Sequence, residues 1–85
     1  MTVLFGAAAA RGAMRRYRVQ AVFEAIGGAR PGERPAAPPE IAERFEGRAF
    51  TLLELEQRGV RIAGGRAVYT ALARDWLLEL SPPIR

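Results

Sequence analysis

The stretch from residue 50 to residue 80 constrains the fold most, because it holds the clearest helix-start signal in the chain. Thr51 and Glu54 have the T-x-x-E spacing of a capping box, in which each side chain accepts a hydrogen bond from a backbone N–H group at the helix N-terminus. The apolar run that follows predicts a helix over residues 52–58, and Gly59 is suited to end it.

A second apolar periodicity follows a glycine turn. Residues 61–65, which end in Gly64 and Gly65, predict the turn, and the spacing of apolar residues after it predicts a helix over residues 66–78. The apolar stripe of this helix would comprise Val68, Tyr69, Leu72, Ala73 and Trp76. Pro82 and Pro83 prevent the helix from continuing, because proline lacks the backbone N–H group that a helix needs.

Three upstream segments complete the expected elements. Residues 13–26 predict a helix, because their apolar residues recur at the i, i+3, i+4 and i+7 spacing of one helix face. Residues 27–39 hold four of the six prolines and predict a loosely packed Pro/Gly-rich loop. Residues 39–46 predict a short helix that begins with proline, and residues 48–50 predict an extended segment.

The composition excludes most enzyme chemistry. The chain of 85 residues contains no cysteine, no histidine and no lysine. Zinc sites, Ser-His or Cys-His nucleophiles and Schiff-base chemistry all need one of these residues. Catalysis by glutamate is the main enzymatic option that remains. We therefore expect a non-enzymatic protein with no cofactor and no metal.

The charge distribution favours an anionic partner. The net charge is +4, and residues 1–23 carry four arginines and no acidic residue. The apolar residues 1–10 precede these arginines, which is not the order of a secretory signal, and the run is too short to cross a bilayer. We expect a cytoplasmic protein with no membrane partner.

The segment of residues 50–80 resembles the winged-helix and helix-turn-helix families of DNA-binding proteins. Residues 50–55 read FTLLEL, similar to the F-T-x-x-E-L opening of many bacterial regulators. Residues 66–72 read RAVYTAL, similar to the x-A-V-Y-x-A-L of their recognition helices. The resemblance implies a DNA-binding transcriptional or phage regulator whose second helix lies in the major groove.

These elements together predict a mainly α fold. We expect one domain over residues 1–85, a small helix-turn-helix-like domain of three to four helices in which residues 39–80 form the helix-turn-helix-like unit. Any β-structure would be a minor two-stranded ribbon, formed by residues near 48–50 and 78–84 or by residues 2–5.

Two groups of residues are candidates for nucleic-acid contact, one in the second predicted helix and the turn before it, and the other among the arginines of residues 11–18. On a helix, Arg66, Thr70 and Arg74 would form one exposed stripe, and arginine can bind guanine or phosphate with two hydrogen bonds. The glycine turn would let backbone N–H groups approach a phosphate. The complete candidate set is Arg61, Gly64, Gly65, Arg66, Thr70, Arg74, Arg11, Arg15, Arg16 and Arg18.

Two further questions remain open at the level of the sequence. The partner could be DNA or RNA, or the chain could be a bacterial or phage adaptor or inhibitor module that contacts protein through the same three-helix fold. We also expect a homodimer, because the apolar residues 3–5 and the apolar face of Val19, Val22, Phe23 and Ile26 exceed what one short helical unit covers.

Overall fold

The computed structural model describes residues 14–26 and 31–84. Within these residues five strands and two α-helices follow one another as β1 (Arg16–Glu24), α1 (Pro39–Phe45), β2 (Ala49–Thr51), α2 (Leu52–Gln57), β3 (Val60–Ala63), β4 (Arg66–Ala71) and β5 (Arg74–Ser81). A short 3-10 turn, Pro31–Glu33, precedes α1. No helix in these two ranges is long and apolar enough to cross a bilayer.

The strands form one curled antiparallel sheet in the order β2-β1-β5-β4-β3. One face of the sheet, here called the inner face, carries the core, where α1 packs against β1 and α2 packs against β2 and β3. The opposite face is the outer face. The fold is therefore mainly β, and the expectation of a mainly α domain of three to four helices is wrong.

The helix predicted over residues 13–26 is strand β1, because a β-bulge altered the apolar spacing. The pairing of β1 with β5 shifts register between Val19 and Ala21, so Gln20 is an extra residue. The shift lets Val19 and Val22 face the same core although they are three residues apart, and both have 0% exposure. Their spacing thereby imitates the i, i+3 period of a helix.

The helix predicted over residues 66–78 is the hairpin of β4 and β5, joined by Leu72 and Ala73. These two residues have φ angles of 56° and 60°. A two-residue hairpin loop with positive φ at both positions normally uses asparagine or glycine. Leucine and alanine favour helices, so the sequence gives no signal for this turn. Gly64 and Gly65, with φ of 60° and 75°, supply the expected residues in the hairpin of β3 and β4.

The helix-turn-helix resemblance is therefore wrong. Helix α2 is followed by strand β3, and residues 66–78 contain no recognition helix that could enter a major groove. The minor ribbon is also wrong in its pairing, since β2 pairs with β1 rather than with residues 78–84. The alternative of residues 2–5 lies outside the described residues.

The two short helices and the extended segment are confirmed. Helix α1 begins at Pro39, as expected for proline in a first turn. The capping box of α2 is complete: the Thr51 hydroxyl accepts a hydrogen bond from the Glu54 backbone N–H at 3.1 Å, and the Glu54 carboxylate accepts one from the Thr51 N–H at 2.9 Å. The extended segment is strand β2.

The Pro/Gly-rich loop is more ordered than predicted where it passes β1. The backbone N–H of Ala37 donates to the Val22 carbonyl at 2.9 Å, and the Glu24 N–H donates to the Pro35 carbonyl at 2.8 Å. Ala37 is buried at 9% exposure. The prediction of loose packing is therefore wrong for residues 35–37, while residues 27–30 lie outside the described residues.

The strained hairpin loop gives a prediction about stability. The double substitution Leu72→Asn with Ala73→Gly is expected to raise the free energy of unfolding by about 1–2 kcal/mol, because L-residues without a hydrogen-bonding side chain are disfavoured at positive φ. Leu72 is 61% exposed, so little packing is lost. Urea denaturation of the two proteins measures the difference. Ala63→Gly, in strand β3, is the control and should destabilise by about 0.5–1 kcal/mol. If the double variant is less stable than the wild type, the interpretation that Leu72 and Ala73 are strained at positive φ is wrong.

The capping box gives a prediction about acid stability. The hydrogen bond from the Thr51 backbone, followed by the charges of Arg16 and Arg58, lowers the pKa of Glu54 below its ordinary value of 4.5. The folded state therefore gains stability from the Glu54 carboxylate above pH 4.5 and loses it as the pH falls through the lower, folded-state pKa. Glu54→Gln keeps an acceptor for the Thr51 N–H without the charge, so its unfolding midpoint should depend less on pH in this acid range.

The matched control for this experiment is Glu56→Gln, which removes an exposed carboxylate of the same helix outside the capping box. Thermal unfolding of the three proteins, followed over a series of acid pH values, measures the effect. If Glu54→Gln loses stability on acidification as steeply as the wild type and Glu56→Gln do, the capping-box carboxylate does not carry the acid sensitivity.

Candidate functional site

Three arginines from separate segments meet at one pocket of about 400 Å3. Arg44 lies in the last turn of α1, Arg48 precedes β2, and Arg58 is the C-cap residue of α2. The lining residues are Glu43, Arg44, Phe45, Arg48, Arg58 and Tyr69. We call this site the arginine pocket.

Aromatic side chains hold two of these arginines. Phe45 packs edge-to-face against Phe50 and Tyr69, with ring centroids 6.0 Å and 4.9 Å away. The guanidinium carbon of Arg58 lies 4.8 Å from the Phe50 ring centroid, which is a cation–π contact. Arg44 Nη1 donates a hydrogen bond to the Tyr69 hydroxyl at 2.6 Å. The aromatic cluster therefore orients Arg44 and Arg58 at the pocket.

The backbone of Arg48 is fixed by strand β1 and helix α1. Its N–H donates to the Phe45 carbonyl at 3.1 Å, and its carbonyl accepts from the Val19 N–H at 2.9 Å. The preceding residue, Gly47, has a φ of 80°, a conformation that glycine adopts without strain. The Gly47 carbonyl accepts a hydrogen bond of 2.6 Å from Arg18 Nη1. Arg18 thus lies beside the arginine pocket.

The pocket has excess positive charge. Among the described residues, no carboxylate oxygen lies within 4.0 Å of the guanidinium nitrogens of Arg44, Arg48 or Arg58. Glu43 is the one acidic residue in the lining, and Arg58 also contributes to the lowered pKa of Glu54. Arginine remains protonated at physiological pH and offers a planar fork of N–H donors, which suits phosphate oxygens. No group of three acidic residues in the described ranges is placed to hold a metal ion.

The stripe predicted from Arg66, Thr70 and Arg74 is not a continuous surface. Arg66 and Thr70 lie on β4, and Thr70 pairs with Asp75 on β5. Paired residues share a face and neighbouring residues alternate, so Arg74 lies on the face opposite to Thr70. Arg74 Nη1 is 3.1 Å from the Glu24 carboxylate. The helical period assumed for the stripe does not apply on strands.

Asp75 neutralises part of the predicted basic surface. Its Oδ1 atom accepts a hydrogen bond from the Thr70 hydroxyl at 2.5 Å and lies 3.5 Å from Arg61 Nη2. Gly64 and Gly65 form the neighbouring hairpin turn rather than a helix start, so the phosphate-approach geometry expected for them is absent at this turn. Whether these residues contact a nucleic acid stays a prediction.

The N-terminal arginine cluster falls on strand β1 and just before it. Arg16 Nη1 lies 3.4 Å from the Glu54 carboxylate, while Arg15 is exposed. Arg18 reaches the Gly47 carbonyl, as described above. Arg11 lies outside the described residues. Of the nine predicted residues that the structure describes, Arg18 is the one whose side chain donates a hydrogen bond to Gly47, the residue before Arg48 of the arginine pocket.

A second, larger recess of about 530 Å3 is open on the outer face. Phe23 and Leu77 pair across β1 and β5 and line it, together with Arg34, Arg66 and Glu79. We call this the outer groove. Both Phe23 and Leu77 are half-buried, and neither belongs to the inner core.

The arginine pocket was not predicted from the sequence. Arg44 and Arg58 each stand at the C-terminal end of a correctly predicted helix, where a positive charge stabilises the helix dipole, so their positions suggested no ligand. Tyr69 was assigned to the apolar stripe of a helix that does not form. Only the placement of α1, α2 and β4 around Phe45 brings these side chains together.

No protein-family model, curated protein or solved structure matches the chain. Function is therefore inferred from the chemistry of the arginine pocket.

Proposed function

We propose that the chain is a non-enzymatic, nucleic-acid-binding protein of the cytoplasm that contacts phosphate groups through the arginine pocket. The observation that carries this proposal is the convergence of Arg44, Arg48 and Arg58 on one pocket without a carboxylate partner among the described residues. Elsewhere on the described surface, Arg16, Arg61 and Arg74 each form an ion pair with a carboxylate. Apart from the bond of Arg44 to the Tyr69 hydroxyl, the pocket arginines keep their guanidinium donors for a ligand.

The composition supports the same proposal. The absence of histidine, cysteine and lysine leaves binding as the simplest role, and a net charge of +4 suits an anionic partner. Phosphate contacts supply most of the affinity of non-specific nucleic-acid binding and carry no sequence information. The chemistry accommodates DNA and RNA alike, so the proposal is made for both.

Fluorescence anisotropy with labelled random-sequence DNA and RNA at low salt tests this function. The wild type is expected to bind with a dissociation constant tighter than about 100 μM, the weak end of non-specific affinities. Arg48→Gln should weaken binding and reduce the slope of log affinity against log salt concentration by about 1, because one phosphate contact is lost. The Arg48 side chain makes no hydrogen bond or ion pair with the described residues, so the fold should tolerate the change.

Arg74→Gln is the charge-matched control, because it removes the same charge at the distant pair with Glu24. A larger loss of affinity for Arg74→Gln than for Arg48→Gln would place the phosphate contact at Arg74 instead of the arginine pocket. Absence of binding to every nucleic acid at low salt would contradict the function altogether.

A protein-interaction module is the second candidate, and the outer groove favours it. The lining of the groove combines apolar side chains, among them Phe23 and Leu77, with the charged residues Arg34, Arg66 and Glu79. Protein interfaces combine apolar and charged side chains in the same way. A pull-down from lysate with and without nuclease separates the two candidates, because nuclease removes partners bound through nucleic acid and leaves partners bound through the groove.

A homodimer remains part of the proposal, with the outer groove as its contact. Of the apolar face that suggested the dimer, Val19 and Val22 are buried in the monomer core, Phe23 is half-buried and Ile26 is 83% exposed. Phe23 and the half-buried Leu77 lie together in the outer groove. Light scattering is expected to give about twice the monomer mass of 9.3 kDa. Leu77→Glu should shift the mass towards the monomer, whereas Leu72→Glu at the hairpin tip should not. A wild-type mass near 9.3 kDa, with unfolding independent of protein concentration, would refute the dimer.

A further inference from the structure

We infer that the arginine pocket binds a terminal phosphomonoester of a nucleic-acid strand in preference to the phosphodiesters within the strand. This inference rests on the proposed nucleic-acid-binding function and specifies the group that the same pocket recognises. Its basis is the combination of three guanidinium groups, one phenolic hydroxyl and a recessed shape in one site.

The charge of the pocket fits a phosphomonoester. A phosphomonoester carries about −1.5 to −2 charges at neutral pH and has three strong acceptor oxygens, whereas an internal phosphodiester carries one charge. Arg44, Arg48 and Arg58 line the pocket against a single acidic residue, Glu43. Three guanidinium groups around one site exceed what a monoanion needs, and they match a dianion with several acceptors.

The hydroxyl of Tyr69 supplies one further donor. It accepts the hydrogen bond from Arg44, and a phenol that accepts through its oxygen still has its own proton to donate. Edge-to-face packing against buried Phe45 holds the Tyr69 ring in place. Arg58 lies over the Phe50 ring, which leaves the N–H groups at the rim of its planar guanidinium for a ligand.

The shape of the pocket favours the end of a strand. The recess of about 400 Å3 lies between the C-terminal ends of α1 and α2 and the side chain of Tyr69 on β4. A terminal phosphomonoester has three acceptor oxygens and is joined to the strand on one side only, whereas an internal phosphodiester is flanked by the strand on both sides. More of the pocket's donors can therefore reach a terminal phosphate.

Anisotropy measurements on a short single-stranded DNA of one sequence, prepared with a 5′-phosphate, a 3′-phosphate or hydroxyl groups at both ends, test the inference. At least one phosphorylated form is expected to bind about tenfold more tightly than the hydroxyl form, as a net gain of one or two charge-assisted hydrogen bonds implies. The comparison of the 5′ and 3′ forms identifies the end that is recognised. The preference should disappear in Arg48→Gln and persist in Arg74→Gln.

Tyr69→Phe provides a second variant that keeps the ring packing and removes the hydroxyl. It should reduce the preference for the phosphorylated strand, with the unfolding midpoint used to verify that the variant is folded. A phosphoserine peptide serves as the competing ligand class, and it is expected to bind more weakly than the phosphorylated strand. Tighter binding of the peptide would overturn the assignment to nucleic acid.

Two outcomes separate this inference from the function on which it rests. Equal affinity for all three strands, with Arg48→Gln still weakening all of them, would overturn the terminal-phosphate inference and leave phosphate-backbone binding standing. Failure of every strand and every random-sequence nucleic acid to bind would overturn the proposed function itself.

Discussion

The packing of Phe45 between Phe50 and Tyr69 is the interaction on which the arrangement of this protein depends. Phe45 is the last residue of α1 and has 1% exposure, while its two aromatic partners belong to β2 and β4. One side chain therefore joins a helix to strands on opposite sides of the curled sheet. Each aromatic pair contributes about 0.5–1.5 kcal/mol beyond the burial of its surface. Phe50 and Tyr69 also contact Arg58 and Arg44, respectively. The same aromatic side chains therefore form part of the core and position the arginines of the pocket.

Several backbone groups of strand β1 form hydrogen bonds with residues outside the strands of the sheet. Strand β2 pairs with only the first residues of β1. Further along the same edge of β1, the backbone of Val19 forms hydrogen bonds with the backbones of Gly47 and Arg48. The Glu46 carboxylate accepts the Val22 N–H at 2.9 Å. Unpaired backbone groups in a core are costly, so these bonds tie the segment after α1 firmly to β1. The position of Arg48 in the pocket follows from its backbone hydrogen bond with Val19 of β1.

The distribution of ion pairs distinguishes the arginine pocket from the rest of the described surface. On and around the sheet, arginines are matched by carboxylates, as in the pairs of Arg61 with Asp75 and Arg74 with Glu24. Such exposed pairs contribute little to stability, but they reduce the local positive potential. The arginine pocket lacks this compensation among the described residues. A modest net charge is thereby concentrated at one recess, which is the property that a phosphate ligand requires.

The sequence predicted those elements whose signals are local. The capping box of Thr51 and Glu54 and the proline start of α1 are decided by neighbouring residues, and both were correct in position. The turn predicted over residues 61–65 was correct at Gly64 and Gly65, whereas residues 61–63 belong to β3. The long helices were wrong for the opposite reason. The bulge in β1 and the Leu72–Ala73 turn give strands an apolar spacing that imitates a helix, and only pairing with distant strands makes these conformations favourable.

The candidate site shows the same difference between what local sequence determines and what contacts between distant residues determine. The sequence by itself limited the chemistry available to the protein, because arginine is the only basic residue type in a chain without histidine, cysteine or lysine. It placed that chemistry on a helical stripe that does not exist. Only the tertiary structure decided which arginines converge, since Arg44, Arg48 and Arg58 belong to separate segments and meet where the aromatic core around Phe45 closes the curled sheet.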